Sequence, residues 1–183
     1  KLAPRLRKQI QESIERFYGT TSEPRLFEPA ADTTASTDEK PAEEKADGDA
    51  GDAKIKLVAQ LPAEHLKRGR AIYEKRCLTC HGATGDGEGP VAGYMQPRPR
   101  DYRLGAFKFT STPFGAKPRR ADLIRTVLRG AKGTSMPSFR WLDGEDLHAV
   151  VDYVVYLSQR GEVEQKLLEL AEQLDWKLPD VIL

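Results

Sequence analysis

The chain has 183 residues, of which 39% are hydrophobic and 31% are charged, and its formal net charge is +1. This length is enough for one domain of ordinary size with additional segments. No apolar run approaches the roughly 18–20 residues that a membrane-spanning helix needs, and no secretory signal is visible. Because the chain begins with Lys1 rather than Met, we expect that it is processed or a fragment.

Charge is unevenly distributed along the chain. Residues 55–161 carry 18 Lys and Arg against 10 Asp and Glu, whereas residues 28–54 and 162–183 are both acidic. A basic region between two acidic flanks is a poor match for nucleic acid, because the flanks would repel the phosphates. We therefore expect no nucleic-acid partner.

Residues 1–27 are predicted to form an N-terminal amphipathic helical extension, with the helix over residues 1–18. Its apolar side chains fall on one side of the helix: Leu2, Leu6, Ile10, Ile14 and Phe17. Two interpretations are open at this point. The helix packs on its own domain or on a partner, as most amphipathic helices do, or it lies as a basic helix on a membrane surface.

Residues 28–54 are predicted to be an acidic, disordered linker. The segment consists of Glu, Asp, Ala, Ser, Thr, Lys, Pro and Gly and contains no aromatic residue, so it has too little apolar surface to form a core. An extended residue covers at most about 3.3–3.6 Å, so a linker of this length spans tens of ångströms. It would tether residues 1–27 to the domain predicted over residues 55–161.

The most informative stretch of the chain is Cys77-Leu78-Thr79-Cys80-His81. The pattern C-x-x-C-H is the attachment signature of c-type haem, in which both thiols bind the porphyrin and the adjacent His binds the iron. Three alternatives are a structural zinc site, a redox-active dithiol and a disulfide. Zinc would need two more ligands at suitable spacing, a thioredoxin-like pair would follow a strand, and a disulfide across so short a loop would be strained.

A second iron ligand is expected from Met136, which lies in Gly133-Thr134-Ser135-Met136-Pro137. A Met thioether suits haem iron and raises its reduction potential, and the surrounding Gly and Pro favour a loop over a helix. The alternative ligand is Met95, which lies in another Gly- and Pro-rich stretch. Met136 as a space-filling core residue, another ligand and an open site are the remaining possibilities.

Helices are predicted over residues 61–76, 120–129 and 143–158. Gly130 is placed to end the second helix, and Asp143 is a good N-cap for the third. A glycine inside a helix costs about 1 kcal/mol relative to alanine, so Gly69 indicates a close approach to another helix. Residues 82–118 show little helical periodicity, and so long a loop is expected only where it packs on a large cofactor.

Residues 162–183 are predicted to form a C-terminal helical extension. Val163, Leu167, Leu170 and Leu174 recur at helical spacing over residues 162–177. We expect this helix to pack on the preceding domain or on a neighbouring subunit. The apolar end of the chain, Val181-Ile182-Leu183, favours membership of a larger complex or polypeptide.

Over residues 61–159, the chain resembles the class I cytochrome c family. Gly69, Tyr73 and Cys77 follow one another at four-residue intervals, as in the N-terminal helix of that family. Tyr153 matches the aromatic residue of its C-terminal helix. The pairs Gly89-Pro90 and Met136-Pro137 match the two Pro-containing sites that flank the haem in the family.

The resemblance implies an all-α class I cytochrome c fold over residues 55–161, with helices around one covalently bound haem c. Cys77 and Cys80 would attach the haem, and His81 and Met136 would bind its iron. The Pro90 carbonyl would accept a hydrogen bond from the His81 ring and orient it. In this family the haem is attached outside the cytoplasmic membrane, so a periplasmic or equivalent location is implied.

With both His81 and Met136 bound, iron has no open position, which favours electron transfer by a tethered carrier or by a haem c subunit or domain of a respiratory complex. The alternatives are a catalytic or ligand-sensing haem protein with an open sixth site, and a purely structural subunit. The resemblance also implies a basic ring that meets acidic redox partners, which would raise the association rate. Candidates are Lys75, Arg76, Arg98, Arg100, Arg103, Lys108, Lys117, Arg119, Arg120 and Lys132. Arg98, Arg100 or Tyr102 would alternatively pair with the haem propionates.

Overall fold

The computed structural model describes residues 4–25 and 61–173, and the regular elements in these two ranges are helices. They are α1 (Pro4–Tyr18), α2 (Ala63–Arg76), α3 (Leu78–His81), α4 (Arg120–Arg129) and α5 (Gly144–Gln173), with a short 3-10 turn at Ala92–Tyr94. In place of strands, the described ranges contain one isolated bridge, between Gly19 and Pro24. The predicted all-α class is therefore confirmed, while the predicted linker at residues 28–54 lies outside the described residues.

Helices α2 and α5 cross at a close approach that Gly69 makes possible. A Cβ atom at this position would lie 2.1 Å from the Ala149 carbonyl oxygen. One turn further along, the Tyr73 and Tyr153 rings meet edge to face with centroids 5.3 Å apart, and both side chains are buried. The helix approach predicted from Gly69 is confirmed, and its cause is the absence of a side chain.

The predicted helix ends also agree with the structure. Asp143 Oδ1 accepts a hydrogen bond from the Asp146 N–H at 2.7 Å, which caps the start of α5. Helix α4 ends at Gly130, which has a φ of 69°. Leu123 of α4 packs on Leu147 and Val151 of α5, so these two helices share a small apolar core.

Helix α5 is longer than predicted. The sequence favours two helices, over residues 143–158 and 162–177, but one helix continues from Gly144 to Gln173. The apparent break at Gly161 is a packing site, since a Cβ there would lie 2.6 Å from the Arg103 Cα. The prediction of a separate C-terminal helix is therefore wrong, and the predicted boundary between residues 161 and 162 falls inside α5.

Helix α1 packs on the second half of α5. Three of its apolar side chains form a cluster with side chains of α5: Leu6, Ile10 and Ile14 with Leu167, Leu168 and Ala171. The chain after α1 then lies over the first half of α5, where the Tyr153 hydroxyl donates to the Thr21 carbonyl at 3.0 Å. Of the two interpretations of α1, packing on its own chain is the one that the structure shows. None of the described helices has both the length and the apolar character required to span a bilayer.

A buried carboxylate, Asp152, connects three helices. It lies on α5 and accepts two hydrogen bonds from Arg120 of α4, at 2.6 and 2.8 Å. The Nε2 atom of His65, on α2, lies 2.9 Å from the same carboxylate. Burial alone would raise the pKa of Asp152, but the hydrogen bonds from Arg120 and His65 lower it below its ordinary value. Asp152 therefore stabilises the arrangement of α2, α4 and α5 in its charged form.

We expect Asp152→Asn to reduce the free energy of unfolding at pH 7 by about 2–3 kcal/mol, because hydrogen bonds to charged groups are lost. A carboxylate with a lowered pKa stabilises the fold above its ordinary pKa of about 3.9 and ceases to do so as the pH falls through the folded value. The difference between variant and wild type should therefore shrink below about pH 4, as measured by urea unfolding. Glu74→Gln, in the exposed pair with Arg70, is the control and should cost less than about 1 kcal/mol. An unchanged difference between pH 7 and pH 3 would contradict the prediction.

Candidate functional site

The C-x-x-C-H motif lies on a helical turn that directly follows α2. The Cys77 N–H donates to the Tyr73 carbonyl and the His81 N–H donates to the Cys77 carbonyl, each at 2.8 Å. Residues three and four positions apart lie on the same face of a helix, so Cys77, Cys80 and His81 share one face. The Tyr73 hydroxyl donates to the Gly82 carbonyl at 2.8 Å and secures the end of α3.

A cavity of about 410 Å³ adjoins this face. It is lined by all three motif side chains and by the two methionines considered above, Met95 and Met136. Most of its wall is apolar and comes from α2, α4, α5 and the loops between them: Ile72, Phe107, Leu123, Val127, Phe139, Leu142, Val150, Val151 and Val154. A concave, mostly apolar wall with a few convergent polar groups is typical of a cofactor site.

Met136 is held by a tight loop that follows α4. The Ala131 N–H donates to the Met136 carbonyl at 3.2 Å, and the Met136 N–H donates to Thr134 Oγ1 at 3.1 Å. Gly130 admits this loop because a Cβ there would lie 2.7 Å from the Met136 carbonyl oxygen. The half-buried Met136 side chain therefore has a fixed backbone from which to reach the cavity.

Met95 also lines the cavity but belongs to a different structural unit. It follows the 3-10 turn Ala92–Tyr94. Just before this turn, the Gly89 and Val91 N–H groups donate to the Cys80 and Thr79 carbonyls, each at 3.2 Å. The segment that carries Met95 is thus attached to α3, the helix that carries His81.

His81 is held by ring stacking in a largely buried position. Its ring stacks on Tyr102 with centroids 4.8 Å apart, and Tyr102 stacks in turn on Phe107 at 5.8 Å. Burial lowers the pKa of His81, although a hydrogen bond with the Arg100 backbone partly opposes this decrease. The imidazole is therefore neutral at pH 7, which is the form that binds metals.

The predicted hydrogen bond from His81 to Pro90 is not formed in the structure. Within the described residues, His81 Nδ1 is buried and has no hydrogen-bond partner. Pro90 is exposed and does not line the cavity. Here the ring is oriented by Tyr102, and a role for Pro90 stays a prediction.

Cys77 lacks the low pKa that is typical of a redox-active thiol. Burial raises the pKa of Cys77 to about 12, and the nearby Cys80 contributes to the shift. Reactive redox cysteines have a lowered pKa instead. Two adjacent thiols, a neutral buried imidazole with an unpartnered nitrogen, a thioether and an apolar cavity together fit a covalently attached haem with an axial His.

Several basic side chains lie at the mouth of the cavity. Arg76, Arg98, Arg100 and Lys108 line it, with Asp101 as the one acidic residue of the lining. Cationic side chains here suit the carboxylates of haem propionates, and Arg is well shaped for that role. Arg100, which has no ion pair within the described residues, is better available than Arg98, which pairs with Glu88 at 2.9 Å.

The structure reduces the number of predicted basic side chains that are available to a redox partner. Four of them form ion pairs within the chain: Arg98 with Glu88, Arg103 with Asp101, Lys117 with Glu162, and Arg120 with Asp152. The others have no carboxylate partner among residues 4–25 and 61–173: Lys75, Arg76, Arg100, Lys108, Arg119 and Lys132. These six side chains can offer their charge to a partner without first breaking an internal ion pair.

Two contributions to the site were not predicted from the sequence. Phe107 extends the stack on His81, and Trp141 stacks with Arg76 beside the cavity, with the guanidinium carbon 4.8 Å from the ring centroid. The signal available for both was an aromatic residue in a segment rich in Gly, Pro and basic residues. Such a residue has a reason to be there only if the segment packs on something apolar or meets a partner.

Part of the chain matches a described protein family. Residues 64–154 match the sequence model of the family described as cytochrome c oxidase, cbb3-type, subunit III. A chain of the reducing HAO-like protein complex Kustc0457/Kustc0458 of Kuenenia stuttgartiensis is 35% identical, with a TM-score of 0.49. The match covers 50% of the present chain and 41% of that chain, so less than half of the other chain is represented. No curated protein matches.

Proposed function

Because residues 64–154 form a class I c-type cytochrome domain, which implies one covalently bound haem c and a role in electron transfer, we propose that His81 and Met136 are the axial ligands of its iron. When bound, the haem supplies a centre that accepts and releases one electron without substrate chemistry. The observation that carries the proposal is that His81, Met136 and both motif cysteines line one apolar cavity.

Each residue of the site has a defined task in this proposal. Cys77 and Cys80, on one face of a helical turn, attach the cofactor in a single orientation. His81 binds as a neutral imidazole whose plane is held by Tyr102. The apolar wall excludes water, and this burial together with the axial ligands sets the reduction potential. With both axial positions filled, no site is left for a substrate.

Met136 is preferred to Met95 because of the elements that carry them. The two residues that would hold the iron should belong to different structural units, so that a haem would fit between them. Met95 belongs to a segment that hydrogen-bonds to the motif helix, as His81 does. Met136 comes from a separate loop after α4, with its own backbone hydrogen bonds. Met95 would then be an apolar residue of the cavity wall.

We further propose that the protein works as a tethered carrier or as the haem c subunit or domain of a larger respiratory redox complex in the periplasm. The match to an oxidase subunit supports this role, and so do the unpaired cations around the cavity mouth, which suit acidic partner proteins. Any membrane association would then come from a partner or from an anchor elsewhere in the polypeptide.

Absorption and magnetic circular dichroism spectra of the holoprotein test the ligand assignment. We expect low-spin spectra in both oxidation states, a Met–iron charge-transfer band in the oxidised protein, and no binding of carbon monoxide by the reduced protein under mild conditions. A five-coordinate, high-spin spectrum with ready carbon monoxide binding would overturn the proposal. It would favour instead a catalytic or ligand-sensing protein with an open sixth site.

A further inference from the structure

A tight turn beside the haem cavity presents a large aromatic side chain to solvent. The Leu142 N–H donates to the Phe139 carbonyl at 3.1 Å, which places Arg140 and Trp141 at the tip of the turn. Trp141 is 60% exposed, whereas Phe139 is buried and lines the cavity. Their ring centroids are 6.2 Å apart, so Trp141 lies directly outside the cavity wall.

The exposed indole is held in place from one side. The Arg76 guanidinium lies over the ring, 4.8 Å from its centroid, and Arg76 itself lines the cavity mouth. A cation stacked on an indole is stabilised even at an exposed site. Trp141 and Arg76 thereby lose little freedom when a partner covers them, which lowers the entropic cost of binding.

Two basic side chains beside Trp141 have no internal carboxylate partner. Within the described residues, neither Arg76 nor Arg140 has a carboxylate partner. By contrast, Arg68, just over two turns before Arg76 on α2, contacts Asp143, Glu145 and Asp146. These carboxylates therefore contact Arg68, and Arg76 and Arg140 remain available to a partner. An aromatic centre with unpaired arginines is complementary to an acidic surface with an apolar centre.

We propose that Arg76, Arg140 and Trp141, here called the docking patch, form the contact site for an acidic one-electron carrier protein, with Trp141 as its anchor. This inference rests on the proposed electron-transfer function and adds the side chain on which binding depends. In the exchange, one electron leaves the reduced partner and reaches the ferric haem; the partner is oxidised, the iron is reduced, and no bond forms or breaks. Trp is among the residues that most often dominate the binding energy of an interface.

The test uses the holoprotein and a flavodoxin, an acidic protein that carries one electron, as the probe. The dissociation constant of the oxidised pair is measured by calorimetry at low ionic strength, and the rate of electron transfer from the reduced flavodoxin by stopped flow. We expect Trp141→Ala to weaken binding and slow the second-order reaction by about tenfold or more. Trp141→Phe should have an affinity and a rate between those of Trp141→Ala and the wild type. Phe114→Ala is the matched control, because Phe114 is fully exposed and does not line the cavity.

Three further readouts separate the possible outcomes. Reduction by dithionite, the absorption spectrum and the reduction potential should be the same in Trp141→Ala and the wild type. If Trp141→Ala binds the flavodoxin and accepts its electron as the wild type does, Trp141 is not the anchor. The same conclusion follows if Phe114→Ala loses as much affinity and rate as Trp141→Ala. If the wild-type holoprotein does not bind the flavodoxin, the proposal that the partner is an acidic protein is wrong. High-spin spectra of the wild type would instead contradict the axial ligands, leaving the binding result as an independent measurement.

Discussion

Replacement of Met136 by alanine is expected to convert the low-spin haem into a high-spin or water-ligated form and to abolish the Met–iron charge-transfer band. The loop around Met136 is fixed by backbone hydrogen bonds and by the space that Gly130 provides, so alanine should leave the loop in place and remove only the thioether. The reduction potential should fall by a substantial part of the roughly 0.8 V over which axial ligands set haem potentials. Absorption spectra and a redox titration of the holoprotein measure both effects.

The matched control is Met95→Leu, because Met95 is the other methionine of the cavity wall. Leucine conserves volume, so the cost to stability should be below about 1.5 kcal/mol, and the low-spin spectrum should persist. If Met95→Leu loses the charge-transfer band and Met136→Ala retains it, the two assignments are reversed. Loss in neither variant would show that another residue occupies the sixth position.

Replacement of Gly69 by alanine is expected to destabilise the protein by about 3 kcal/mol, at the upper end of the range for overpacking a core. Alanine is the better helix former by about 1 kcal/mol, so local propensity alone predicts the opposite sign. The close approach decides the outcome, because a Cβ at this position would lie 2.1 Å from the Ala149 carbonyl oxygen. Relief requires α2 to move away from α5, and α2 leads directly into the cysteine motif.

Gly144→Ala is the control for this prediction. Gly144 is the first residue of α5, and a Cβ there would meet nothing within 4 Å. Its free energy of unfolding should stay the same or rise by up to about 1 kcal/mol. Denaturant unfolding of both holoproteins makes the comparison. Equal effects of the two substitutions would mean that the crossing of α2 and α5 tolerates a side chain at residue 69.

The parts of the fold that the sequence predicts are those determined locally. The helix ends at Asp143 and Gly130 follow from backbone hydrogen bonding within a few residues. Gly69 indicates a close helix contact because a glycine inside a helix is otherwise unfavourable. The cysteine motif is equally local, since its spacing alone places its side chains on one helix face. For these features no knowledge of the tertiary structure is required.

The parts that the sequence does not predict depend on contacts between distant residues. The sequence favours two helices where α5 is continuous, and the packing of Arg103 against Gly161 is a contact between residues that are distant in the sequence. The stacking of Tyr102 on His81 joins a loop residue to the end of α3, and no sequence periodicity relates the two. In the same way, the basic residues of the chain look equivalent until Arg98, Arg103, Lys117 and Arg120 are found in internal ion pairs.

The continuity of α5 fixes the distance between two surfaces of the protein. Val150 of this helix lines the haem cavity, and Ala171 lies in the apolar cluster with α1. At 1.5 Å per residue, these positions are about 30 Å apart along a single helix. A flexible linker alone would set only an upper limit on how far the haem travels. A protein that binds where α1 packs on α5 would instead hold the haem at one distance and one orientation relative to itself. The geometry of electron exchange would then depend on a contact about 30 Å from the haem cavity.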